Sequence, residues 1–371
     1  MGIYLKINST KERFPALTGI RAAGAAAVFF VHLPFKTGLK PFIDVMALMT
    51  FFFVISGFLI FYLYYENAAV KSGKLKQYFV NRFARIYPVY FLLVSIAILI
   101  SHDYRAIFLF KNYTLTHALF YNQADRAIQQ SWSLTVEECF YLLAPLIMYL
   151  VRKFNFATAL LFGCSLLGAA LIISTLPISL LHTPRFVFSI TFFGHFFEFF
   201  CGIFLALLIL ERQKENGLFL KGKKYSIVGG LSILALFGFL IASDNMHAAS
   251  ATSSFIFVNN FILPILIAIF FYGLMLEKTV IANILSSGLM RLLGRTSYAF
   301  YLVHAMVIEF IADPFIAVYF KANYNLYVLF VFAFTQLIAF FIFIFYEQPL
   351  NRFIRNKFAK AQNQEVAKTQ L

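Results

Sequence analysis

The chain has 371 residues, 61% of them hydrophobic and 13% charged, and a mean hydropathy of +0.80. Soluble domains carry about 25% charged residues, so a soluble globular protein is excluded, and long unbroken apolar runs disfavour the alternating pattern of a β-barrel. The formal net charge of +15 would suit a nucleic-acid partner, but its placement along the chain points to membrane topology instead.

An all-α, polytopic helical bundle is expected, with about ten spans over residues 15–33, 42–64, 86–101, 132–151, 156–176, 186–210, 225–243, 257–276, 295–312 and 325–346. With the N-terminus cytoplasmic, the inward-facing segments hold 24 of the 31 Lys and Arg residues. That asymmetry follows the positive-inside rule and puts both termini in the cytoplasm. Residues 1–350 form the membrane domain and residues 351–371 a basic, flexible cytoplasmic tail. No stretch reads as a cleaved signal peptide. Cys139, Cys164 and Cys201 fall within spans, without metal-ligand or disulfide spacing.

The first span, RFPALTGIRAAGAAAVFFVHL, places Arg21 and His32 eleven residues apart. Eleven helical steps make about three turns and rise about 16 Å, so both side chains share a face. The expected picture is an arginine near one interface below a histidine deep in the bilayer, where ionisable groups are costly and tend to be functional. In the second span, Ser56–Gly57 is a small pair that admits another helix or a ligand close to the backbone. The basic loop 65–85 ends in NRFARIYP, with Arg82 and Arg85 on one helical face and Pro88 near the start of the third span. Two such arginines grip phosphates, or simply anchor the inner interface.

Residues 102–131 form the longest outward connection, with a short interfacial helix expected over 107–121. It leads into SWSLTVEECFYLL. There Ser131 or Ser133 is placed to cap the helix, Glu137 and Glu138 sit early in it, and Trp132 lies at the membrane interface. Ser133 and Glu137 share a face. His195 and Glu198, one turn apart, are placed to bond each other or a neighbour. Later, Gly294 and Ser297 mark the start of a span that carries His304, and Glu347 and Pro349 sit at the inner end of the tenth. There is no clear internal repeat of the transporter kind.

Six of these motifs stand in a recognisable order: Arg21-x10-His32; Phe52-Phe53-x-x-Ser56-Gly57; Arg82-x-x-Arg85-x-x-Pro88; Trp132-Ser133-Leu134-x-x-Glu137; Ser297-Tyr298-x-x-Tyr301-Leu302-x-His304; and Glu347-x-Pro349. In that order the chain resembles acyltransferase family 3, bacterial cytoplasmic-membrane enzymes that acylate envelope sugars and related molecules. The resemblance spans nearly the whole chain. It implies the shorter type, without the extracytoplasmic hydrolase-like domain of some members. Thr18 stands where many relatives have an aspartate, so a role for that aspartate has no carrier here.

The resemblance implies an essential His32 and an acyl-CoA donor, most simply acetyl-CoA. Arg21, Arg82 and Arg85 are then expected to hold the CoA phosphates, with Ser56 along the thioester path. The rise of about 16 Å from Arg21 to His32 is of the order of the pantetheine arm. His32 would act as general base on a sugar hydroxyl or carry the acyl group itself. Glu137 would support it, and Trp132, Ser133, His304 and Glu347 would contribute to the acceptor site. The acceptor is expected to be a sugar or polysaccharide unit, with no metal and no nucleic acid. The rival reading is a transporter or flippase for lipid-linked sugars, which would leave its substrate chemically unchanged. A membrane scaffold that binds partners through its basic tail is the third, and it leaves His32 without a role.

Overall fold

The computed structural model describes residues 14–33, 45–65, 74–120, 126–176, 183–214, 224–242, 252–316, 319–320 and 323–369. The basic arm before residue 14, the turn after Leu33 and Asp125 lie outside them. Every regular element among the described residues is helical. In chain order these are α1 (Pro15–His32), α2 (Val45–Tyr64), α3 (Lys74–Ser101), α4 (Ala106–Tyr113), α5 (Trp132–Lys153), α6 (Phe156–Ser174), α7 (Pro184–Ile190), α8 (Phe192–Lys214), α9 (Lys224–Ala242) and α10 (Ser253–Phe257). Then come α11 (Leu263–Leu276), α12 (Val280–Leu285), α13 (Gly288–Val307), α14 (Tyr324–Ile342) and α15 (Gln348–Thr369). Wide π-type turns join α10 to α11, follow α13 and join α14 to α15.

Among the described residues, eight helical stretches are long and apolar enough to cross a bilayer. The apolar stretch of α9, Lys224–Leu240, is shorter, and α13, which carries Arg291 and Arg295, is not among the eight. The protein is a multi-pass membrane protein. The apolar windows of Val45–Tyr64 and Pro184–Lys214 are 78% and 72% buried, against 17% for Phe156–Ser174 and 22% for Tyr324–Phe358. Thus α2 and α8 form the centre, while α6 and α14 show large apolar side chains such as Leu161, Ile172 and Leu329 outward.

Several boundaries differ from those expected, each for a local reason. The third helix begins at Lys74, not near residue 86, so Arg82, Arg85 and Pro88 are all interior to it. Proline has no N–H to give the carbonyl four residues back. That carbonyl, Ala84 O, is satisfied by Asn351 Nδ2 at 2.9 Å. Pro145 inside α5 frees Tyr141 O in the same way, and the Tyr78 hydroxyl donates to it at 2.9 Å. Each helix break is thereby turned into a tie to another helix. Residues 351–369, expected as a flexible tail, continue α15. The expected start of a span at Gly294 and Ser297 falls in the second and third turns of α13, which Ser287 caps. Ser131 holds the N-cap position of α5 but caps nothing, because its hydroxyl donates to Ile128 O and meets His117 Nε2.

Glycines set the closest helix approaches. α1 and α13 run parallel: Thr18 lies against Gly294, Phe29 against Phe300 and His32 against His304. α2 runs parallel to α8, where a Cβ on Gly57 would strike the Phe199 carbonyl and one on Gly202 would strike the Val54 carbonyl. The Ser56–Gly57 pair therefore divides its work, with Gly57 admitting α8 and Ser56 facing a cavity. Gly57→Leu is expected to force these two central helices apart, at a cost of about 1–3 kcal/mol or more. Gly168→Ala, which meets nothing within 4 Å, is expected to be neutral or slightly stabilising. Thermal unfolding of both variants in detergent checks the contrast.

Candidate active site

The parallel pairing of α1 with α13 brings the Arg21–His32 face alongside the Tyr298–His304 face. Arg21 lies on the wall of three contiguous cavities. The outermost, about 430 Å³, is lined by Arg21, Arg85, Arg295, Glu347, Arg352 and Arg355, among others. The next, about 460 Å³, shares Arg21, Arg85 and Arg355 with it and adds Arg82, Ser56, Glu137 and Tyr141. The smallest, about 60 Å³, runs from Arg21 past Phe52, Ser133 and Glu137 to Tyr301. Six arginines thus face two glutamates, and the excess charge suits an anionic ligand with several phosphates.

Local bonding holds this wall in place. Arg85 pairs with Glu347, whose side chain is only 3% exposed, and lies over the Tyr298 ring. Arg82 reaches the Tyr64 hydroxyl at 3.4 Å and lies over the Tyr64 and Tyr141 rings. Arg82 Nε is buried without a hydrogen-bond partner. The Ser56 hydroxyl donates to Glu137 Oε1 at 2.5 Å and accepts from Tyr141 at 3.4 Å. Ser133 and the Tyr301 hydroxyl bond each other at 2.8 Å. Ser133 and Glu137, four residues apart, do face the same small cavity.

His32 is placed differently from the expectation. It is the last residue of α1 and it is exposed, while Arg21 lies two turns inside the helix. Pro34 follows Leu33 in the sequence and disfavours helix at Leu33, which is extended, so the helix ends at His32. His32 is not on the walls of the three cavities. Tyr301 closes the smallest of them, and His304 stands one turn further along α13, its ring 5.7 Å from that of Tyr301.

The two imidazoles have a defined hydrogen-bond order. His304 Nδ1 lies 2.6 Å from Tyr301 O, and His32 Nδ1 lies 2.9 Å from Val28 O. A carbonyl only accepts, so each Nδ1 carries the proton. His304 Nε2 is then a lone pair 3.2 Å from His32 Nδ1, whose one proton it shares with Val28 O. This leaves His32 Nε2 as the unprotonated nitrogen, the arrangement of a general base held by a neighbour.

Trp132 is not an interfacial belt residue. It is 7% exposed and packs on Phe53 and His195 in the core. His195 does bond Glu198, at 2.7 Å, and the pair is fully buried between α2 and α8. In the connection over residues 102–131, α4 covers Ala106–Tyr113, shorter than the expected 107–121. There His117 is pushed down to about 4 by burial and by Arg126. Arg126 itself is pushed down to about 10 by burial, with Tyr301 acting in the opposite sense.

Arg295, Arg352, Arg355, Tyr141, Tyr298 and Tyr301 were not expected on the cavity walls. For the last turns a signal exists in the sequence: Gln348, Asn351, Arg352 and Arg355 follow helical spacing on one face, directly after Glu347.

The fold and cavity define a multi-pass membrane protein with an arginine-rich site that runs toward a histidine pair. A family model described as an acyltransferase domain matches residues 14–344. The chain belongs to this family, acyltransferase family 3, and is an acyltransferase enzyme. It is 29% identical over 223 residues to a Haemophilus influenzae protein that has no assigned activity, covering 53% of this chain and 88% of that protein. A protein of Staphylococcus aureus strain COL, provisionally named an O-acetyltransferase, is 27% identical over 324 residues. The O-acetyltransferase OatA of Staphylococcus aureus strain NCTC 8325 is 24% identical over 325 residues. Both matches cover 80% of this chain and 51% of the relative, so the chain spans about half the length of these two curated relatives. No solved structure matches it.

Proposed function

We propose that the protein transfers an acetyl group from acetyl-CoA, bound at the Arg21 end, to a hydroxyl of a sugar or polysaccharide unit at the His32 end, in the bacterial cytoplasmic membrane. The observation that carries this reading is the shared wall of Arg21. One side chain borders the arginine-rich mouth, the Ser56–Glu137 chamber and the small cavity that ends on Tyr301.

CoA phosphates would meet Arg21, Arg82, Arg85, Arg352 and Arg355, and the pantetheine arm would lie past Ser56 toward Tyr301. The acceptor hydroxyl would give its proton to His32 Nε2 as its oxygen attacks the thioester carbonyl. The C–S bond then breaks, and the CoA thiolate recovers the proton from His32. Glu137, held by Ser56 and Tyr141, keeps the chamber polar at the point where the arm narrows. His304 is a positioning residue that fixes the His32 tautomer.

Equilibrium binding of acetyl-CoA to the protein in nanodiscs tests the donor half. The wild type is expected to bind, and Arg21→Ala to bind about tenfold or more weakly, the value of about 1.5–3 kcal/mol for a hydrogen bond to a charged group. No measurable affinity of the wild type for any acyl-CoA would sink the reading and leave sugar transport as the hypothesis to test.

A further inference from the structure

Arg126 stands at the His32 end of the molecule, in the connection that leads into α5. Its Nε and Nη2 atoms are buried and have no hydrogen-bond partner. These two nitrogens form one edge of the guanidinium, the edge that presents two parallel N–H groups to an oxyanion. A buried donor left without a partner is costly in a resting protein, so an empty fork of this kind is a feature to be explained.

The surroundings place the fork beside the acceptor end. Arg126 acts electrostatically on His117 and on Tyr301. Gln130, four residues further along the sequence, donates through Nε2 to Tyr301 O and Leu302 O at 3.2 and 2.9 Å. Its own Oε1 is buried and has no partner. Tyr301 O also accepts from His304, which holds His32. Two unused donors and one unused acceptor therefore border the residue that carries the histidine pair. Tyr301 cannot serve them, because its hydroxyl is already engaged with Ser133 and with Gln130 O, each at 2.8 Å.

We propose that Arg126 and Gln130 form a recognition site for an anionic acceptor sugar. The Nε/Nη2 edge of Arg126 takes a carboxylate or phosphate of the sugar, and Gln130 Oε1 accepts from one of its hydroxyls. This rests on the reading that the His32 end is the acceptor side. It adds the substrate class: acceptors that bear an oxyanion are selected over neutral ones.

The test is equilibrium binding, by saturation-transfer NMR in nanodiscs at fixed ionic strength, of glucose, glucuronate and glucose 6-phosphate. Acetyl-CoA binding and thermal unfolding are measured on the same samples. The wild type is expected to bind an anionic sugar about tenfold or more tightly than glucose, and the stronger of the two anions identifies carboxylate or phosphate as the group read. Arg126→Gln is expected to erase the preference while acetyl-CoA binding is unchanged. Arg126→Lys, which keeps the charge but not the fork, is expected to retain only part of it, and it carries the test if Arg126→Gln does not fold.

A wild type with no preference for either anion overturns the proposal, as does an Arg126→Gln protein that keeps the preference. If acetyl-CoA fails to bind while the anion preference holds and depends on Arg126, the acetyl-transfer reading falls and this site stands.

Discussion

His32→Ala is expected to abolish transfer, by about 10²- to 10⁴-fold, the range for loss of a positioned general base, while acetyl-CoA binding stays within about twofold of wild type. The separation follows from the geometry. His32 lies outside the three cavities, about 16 Å along α1 from Arg21, and touches only Val28 O and His304 among the polar partners described for it. Its removal leaves the arginine-rich mouth intact. His304→Gln is expected to lower turnover less, because it loosens one of the two acceptors that hold His32 Nδ1–H, with Val28 O retained, and leaves the reacting nitrogen in place. Single-turnover transfer to a sugar acceptor, beside a donor-binding isotherm, reads both quantities. Turnover retained in His32→Ala would move the chemistry to another residue, and a parallel loss of donor binding would mean that the two ends are not separate.

Much of this site was legible because helical spacing is a short-range rule. Arg82 and Arg85 meet the same cavity, Ser133 and Glu137 share a wall, and His195 reaches Glu198, each at a spacing of three or four residues. What failed were readings that depend on where a helix ends or which neighbour covers it. His32 was expected deep in the bilayer, yet Leu33, extended ahead of Pro34, ends α1 at that residue. Trp132 suits an interface by residue type, but it is buried against Phe53 and His195. Arg352 and Arg355 fall in a stretch that is polar by composition, although their spacing continues the helix that follows Glu347. Tyr301 stands in the Ser297–His304 motif, but its place on the smallest cavity is not legible from spacing, because it depends on the rotation of α13 against α1. The proline of the Arg-x-x-Arg-x-x-Pro motif suits a helix start but lies inside α3. Its effect is longer-ranged: by freeing Ala84 O it gives Asn351 a partner and docks α15 on α3 beside the Arg85–Glu347 pair.

That docking makes Arg85→Met the substitution with the largest expected effect on stability. The Glu347 side chain is 3% exposed, and its Oε2 has no hydrogen-bond partner even when Arg85 is present. Removing one partner of a buried ion pair costs about 3–5 kcal/mol, because the remaining charge is stranded. The lower figure is expected here, since Arg21 borders the same cavity and partly offsets the charge. Replacing both partners removes the stranded charge, so Arg85→Met/Glu347→Met is expected to recover most of the lost stability. It is not expected to recover donor binding, because Arg85 faces the cavity proposed for the CoA phosphates and methionine offers no donor there. Unfolding in detergent, paired with acetyl-CoA titration of the single and double variants, separates the two roles. Equal stability of Arg85→Met and wild type would mean that Arg21 alone neutralises Glu347. Recovery of donor binding in the double variant would mean that Arg85 serves only the helix packing, and would leave Arg21, Arg82, Arg352 and Arg355 to hold the donor.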